Sequence, residues 1–167
     1  MKKKTSPSST DRKPSQPGAQ HGLLDVFLGR WKMEGKQLEG PFGPDAEIKG
    51  VQSYEWLGGG FFMIQRFDAL VDGNEAACIE LIGYDVKSKT YPVQTFYSDG
   101  SISSWQMTES DGIWKLTGKS ETGGKSSDVR CTTVFSDGGS AMKGKWEYST
   151  DGTHWKTFWK VKASKVN

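Results

Sequence analysis

A chain of 167 residues is the size of one domain and buries roughly two-thirds of its unfolded surface, so a core needs no disulfide or metal staple. Hydrophobic residues make up 34% of it, while 21 glycines and 12% aromatics favour many short strands joined by tight turns over a helical bundle. The formal charge of +2 resolves into +4 over residues 1–20 and −2 over the remainder, so the folded part lacks the basic excess of a nucleic-acid-binding domain.

Residues 1–20 are mostly Lys, Ser, Pro, Thr and Gln, and they cannot offset the entropy of ordering; they are predicted to be a disordered, solubilising tail, with the domain running from 21 to 167. No apolar run approaches the ~18 residues of a membrane span, and Lys2, Lys3 and Lys4 are not followed by the apolar stretch of a secretion signal, so a cytoplasmic protein is expected. From Gly22 to Gly29, the spacing of Leu23, Leu24, Phe27 and Leu28 predicts one short helix that lies across the end of a sheet.

From Trp31 onward the helical period disappears. Alternating segments follow over residues 30–38, 46–57, 61–71, 75–84, 90–97, 101–108, 113–119, 128–135, 141–148 and 153–162. Between them stand Asp72-Gly73, Asp85-Val86-Lys87-Ser88, Asp99-Gly100, Asp111-Gly112, Gly123-Gly124, Asp137-Gly138 and Asp151-Gly152. Asp-Gly supplies the positive φ of tight hairpin turns, so consecutive strands pair as hairpins. An open sheet of that many strands would leave two long edges, and the expected solution is a single closed up-and-down antiparallel barrel of about 8–10 strands.

Face assignment follows from the period of two. Trp31, Met33 and Gly35 alternate with Lys32, Glu34 and Lys36, and Met142, Gly144, Trp146 and Tyr148 alternate with Lys143, Lys145 and Glu147. In the last segment, Trp155, Thr157, Trp159 and Val161 read as inward, and Lys156, Phe158, Lys160 and Lys162 as outward. Apolar residues occur on both parities in the third to sixth segments, leaving their inner face undecided.

Leu28-Gly29-Arg30-Trp31 with Gly35, Trp56-Leu57-Gly58-Gly59-Gly60-Phe61-Phe62, Ile82-Gly83-Tyr84-Asp85 and Tyr91 form an ordered set. Together with the aromatic hairpins that follow, it resembles a family of small bacterial lipocalin-like (calycin) domains of unknown function, over residues 23–162. The resemblance implies an antiparallel barrel with Trp31 packed at its closed end, under a basic residue from a late strand, either Arg130 or a final-strand lysine. It implies no activity.

The seven tryptophans are the strongest chemical signal. An inward aromatic face suits a small apolar or amphipathic ligand, and Trp31, Trp56, Trp105, Trp146 and Trp159 are its candidate residues. Arg66 and Arg130 stand mid-segment, where a guanidinium is costly unless paired: turned inward they would clamp a carboxylate or phosphate, turned outward they would pair with Glu80 or Asp128. Gln94, Glu80 and Tyr84, with Gln65 and Gln106, are candidate polar groups within the pocket.

Catalytic motifs are missing. There is no nucleophile elbow, phosphate loop or calcium loop, and Gly58-Gly59-Gly60 reads as a turn. Cys78 and Cys131 have no metal-ligand spacing and read as small buried hydrophobes. His154 shares parity with lysines, against a haem ligand, so no metal or cofactor is expected. The expected partner is a small molecule rather than nucleic acid. The alternative is a small enzyme, a cyclase, isomerase or hydrolase, using Glu80 or Tyr84 as a buried acid or base.

Overall fold

The computed structural model describes residues 16–166, and the tail reading for residues 1–15 lies outside that range. An α-helical turn, Ala19–Gly22, runs into a 3₁₀ turn, Leu23–Phe27, so the predicted helix is present but begins upstream of Gly22. Ten strands follow: β1 (Gly29–Gln37), β2 (Ala46–Trp56), β3 (Phe62–Val71), β4 (Asn74–Gly83), β5 (Tyr91–Tyr97), β6 (Ile102–Ser110), β7 (Ile113–Thr122), β8 (Lys125–Ser136), β9 (Ala141–Ser149) and β10 (Lys156–Val166). Each pairs antiparallel with its neighbours in sequence, and β10 closes onto β1 with Arg30 opposite Val166 and Gln37 opposite Trp159. Closure therefore uses β10 to Val166, four residues beyond the segment read from alternation.

The turns explain why hairpins form where they do. Asp72 and Gly73 adopt φ of 49° and 81°, and Asp111 and Gly112 adopt 53° and 78°. Positive φ at both central residues is the type I′ signature, whose twist matches that of the flanking strands. Asp85 acts through its side chain instead, accepting the Lys87 and Ser88 backbone N–H groups at 3.0 and 3.3 Å.

One end of the barrel is shut by the helical segment. Leu24 and Phe27 are buried there, and the Phe27 ring meets Tyr54, Trp114 and Phe135 at centroid distances of 5.2, 5.0 and 5.0 Å. Tyr91 Oη donates to the Gln20 carbonyl at 2.9 Å, tying the first helical turn to β5. Trp31 is wholly buried; its Nε1 donates to the Phe27 carbonyl at 2.7 Å, and Lys165 Nζ sits 5.0 Å over its ring. The basic residue over Trp31 is thus a final-strand lysine, not Arg130. Trp31→Ala is expected to cost about 3–5 kcal/mol, and Trp155→Ala on the outer wall about 1 kcal/mol, in urea unfolding. Equal losses would contradict the inside–outside assignment.

The last strand departs from simple alternation. Between Thr157 and Trp159 the pairing with β9 shifts by one residue, Thr157 facing Glu147 and Trp159 facing Trp146. A β-bulge adds a residue to one strand and reverses parity beyond it. Phe158 consequently turns inward and is buried, while Trp155 lies outside with the Arg130 guanidinium carbon 4.0 Å over its ring. The inward reading of Trp155 and Thr157 and the outward reading of Phe158 are corrected by this one extra residue.

Candidate functional site

A cavity of about 970 Å³ occupies the barrel interior, at the upper end of the ~300–1,000 Å³ common for small-molecule sites. It runs from Phe27, Trp114 and Met107 at the helical end to Glu75, Asp99, Ser101 and Glu121 near the opposite hairpins. Part of that mouth is crossed by the β1–β2 connection, where Phe42 stacks on Phe158 at 4.3 Å. Gln37 holds the connection in place: its Nε2 donates to the Pro44 carbonyl at 2.8 Å, and its Oε1 accepts Trp159 Nε1 at 2.8 Å.

The lining has two unlike sides. On β2 to β6, Tyr54 stands opposite Gln65, Gln65 opposite Glu80, Glu80 opposite Thr95 and Thr95 opposite Ser103. Directly opposed residues share a face, so these five side chains form one polar band round half the wall. Gln52 extends it, its Oε1 accepting Gln65 Nε2 at 3.2 Å. An aromatic cluster faces this band: Trp146 meets Trp105, Phe158 and Trp159 at centroid distances of 6.0, 6.2 and 6.4 Å, next to Met142 and Val161. Trp105 Nε1 is buried without a hydrogen-bond partner among the described residues, a cost of about 1–3 kcal/mol.

Glu80 is the chemically distinctive member. Thr95 Oγ1 donates to its Oε1 at 2.8 Å, which favours the ionised form. Burial opposes this more strongly and raises the carboxyl from its usual 4.5 to about 7. Burial likewise pushes the Cys78 and Cys131 thiols up to about 12 and raises the Tyr54 and Tyr97 hydroxyls. Glu80 is therefore the group in this neighbourhood that changes charge near neutrality.

Four of the ten candidate residues line the cavity: Glu80, Trp105, Trp146 and Trp159. Trp31, Trp56 and Tyr84 belong to the closed end, where Trp56 Nε1 donates to Asp25 Oδ1 at 2.8 Å and the Tyr84 ring packs on His21 and Tyr91. Arg66, Gln94 and Arg130 are on the outer wall. Arg66 is exposed, 3.6 Å from Glu55; Gln94 bonds Ser103 and Ser104; and Arg130 Nε donates to Glu147 Oε2 at 2.9 Å. The arginines' partners are thus Glu55 and Glu147, not Glu80 or Asp128. Burial disfavours the Glu147 carboxylate, but hydrogen bonds and charge from Arg130 and Lys145 outweigh it and hold the group below the usual range.

Alternation does not single out Tyr54, Gln52 or Phe158, which also line the cavity. On β3 to β6 the polar Gln65, Glu80, Thr95 and Ser103 face in among Met63, Ile82, Val93 and Trp105, while Ile79, Phe96 and Ile102 form an exposed apolar row outside. Apolar residues therefore occur on both parities of these strands, and alternation alone does not identify the inner face. Gln106 is also outside, accepting from Thr90 Oγ1 at 2.8 Å, and His154 lies in the β9–β10 turn with Nδ1 2.7 Å from Asp151 Oδ2. Among the described residues no cluster of three or more His, Cys, Asp or Glu side chains is arranged for a metal, and no helix is long and apolar enough to cross a membrane.

No curated protein matches the chain at a significant level. The fold is similar to that in the crystal structure of Rv2717c from M. tuberculosis, at 13% identity and a TM-score of 0.59, over 90% of this chain and 99% of that one. Identity this low speaks for the barrel alone. The match over residues 16–158, on a chain that closes into a ten-stranded barrel, shows that it belongs to the family described as Protein of unknown function (DUF1579).

Proposed function

We propose that the barrel binds a small amphipathic molecule in its interior. The observation that carries this reading is the cavity of about 970 Å³, in which a polar band faces an aromatic cluster. A fully packed barrel would fill that space with side chains. Burial of a ligand's apolar part against Trp105, Trp146, Phe158 and Trp159 supplies the energy, and the band around Glu80 orients its polar end.

The neutral fluorophore N-phenyl-1-naphthylamine tests the reading. Its emission is expected to rise on uptake, and Trp146→Ala is expected to weaken binding about tenfold, the equivalent of losing ~1.4 kcal/mol of ring contact. Absence of uptake, together with an empty barrel in native mass spectrometry of the purified protein, would refute it.

A second reading, an enzyme using the cavity for isomerisation, cyclisation or hydrolysis, is supported by Glu80 alone. A carboxyl raised to about 7 inside the barrel cavity is poised for general acid–base work. Turnover of a bound compound that disappears in Glu80→Gln, with binding intact, would favour this reading over simple carriage.

A further inference from the structure

We propose that the cavity selects amphipathic amines, with the ammonium group seated on Glu80 and the apolar part against the tryptophan wall. This rests on the reading of the barrel as a ligand carrier. The first argument is the charge of the lining. Glu80 lies within, and Glu75, Asp99 and Glu121 stand near the mouth, while the only cation among the described lining residues is Lys119. Lys119 is itself drawn to Asp128, Nζ lying 3.3 Å from Oδ1.

Arg66 and Arg130, the residues suited to hold a carboxylate or phosphate, are engaged outside by Glu55 and Glu147. A ligand anion would therefore enter past carboxylates and find no buried counter-charge, which is costly in a low-dielectric site. A cation meets the opposite situation at the mouth and at depth.

The second argument is hydrogen-bond capacity. A carboxylate has about four acceptor positions, and the described hydrogen bonds to Glu80 come from Thr95 alone. An ammonium brings three donors, and a charge-assisted bond to a carboxylate is roughly twice as strong as a neutral one.

The neighbours of Glu80 do not compete for this role. β3 presents Gln65 and Phe67, β5 presents Thr95 and Tyr97, β4 presents Cys78, and Tyr54 and Cys131 face it from β2 and β8. The tyrosines and thiols among them are pushed upward and stay uncharged near neutrality. The carboxyl itself, raised to about 7, is drawn toward the ionised form by an ammonium partner.

The test is displacement of N-phenyl-1-naphthylamine at pH 7.5 by decylamine, decanol and decanoate, which share one chain and differ in the head group. Decylamine is expected to bind at least tenfold more tightly than decanoate, with decanol between them. Glu80→Gln is expected to abolish the advantage of the amine over decanol and decanoate. In the unaltered protein, the same advantage is expected to shrink as pH falls from 7.5 to 5.5 and Glu80 takes up its proton. Decanoate binding as tightly as decylamine, or an amine preference that survives in Glu80→Gln, would overturn the inference while the carrier reading stood. Failure of the fluorophore to enter the unaltered barrel would overturn both.

Discussion

Glu80→Gln is expected to stabilise the protein at pH 8 relative to its effect at pH 5. In the folded state the carboxyl keeps its proton up to about pH 7, whereas the unfolded chain releases it near 4.5, because burial penalises the charge. Between those values the folded state holds the extra proton. This group's contribution is therefore intact below 4.5 and is lost as pH rises through 7. At about 1.4 kcal/mol per pH unit, the ionised side chain destabilises the folded state by up to about 3 kcal/mol at high pH. Glutamine has no such ionisation, so urea unfolding at several pH values should show the variant gaining on the parent protein across that window. Parallel pH profiles would mean that Glu80 is solvated like a surface carboxylate, and the polar band would lose its central feature.

Substitution of Gly35 or Gly50 by alanine is expected to be among the most damaging of small changes. A Cβ at Gly35 would fall on the Lys160 carbonyl oxygen and within 2.9 Å of Val161 Cα. At Gly50 it would fall on the Asp68 carbonyl oxygen and within 2.7 Å of Ala69 Cα. These are backbone atoms of adjoining strands and cannot rotate away, so relief requires the strands to separate. Each change should cost about 3 kcal/mol, the upper part of the usual overpacking range. Gly58 has nothing within 4 Å of a built Cβ, and Gly58→Ala should stay within about 0.5 kcal/mol of the parent protein in the same urea titration. Losses equal at all three positions would show that glycine is needed for something other than close approach of strands.

Much of the barrel is legible in the sequence. Asp72-Gly73 and Asp111-Gly112 announce their hairpins because few other dipeptides adopt two successive positive φ values. Lysine alternation on β1 and β9 marks the outer wall, since a charge opposite a tryptophan leaves one arrangement that keeps both satisfied. The lining was legible only in part. Trp105, Trp146, Trp159 and Glu80 face the cavity, but the arginines expected to anchor a ligand face away from it.

What local sequence determined was the Asp-Gly turns and the side of each regular strand that carries lysine, properties of residues within a few positions of one another. What the tertiary structure decided was register and closure. The bulge at Phe158 lies in the pairing of β10 with β9, where the register shifts by one residue, and no rule of alternation within the strand contains it. The polar band from Tyr54 to Ser103 is assembled from five strands, each contributing one side chain, and the charge of Glu80 depends on how completely the others enclose it. Enclosure is a property of the closed wall, so the chemistry of the cavity could be read only once β10 had met β1.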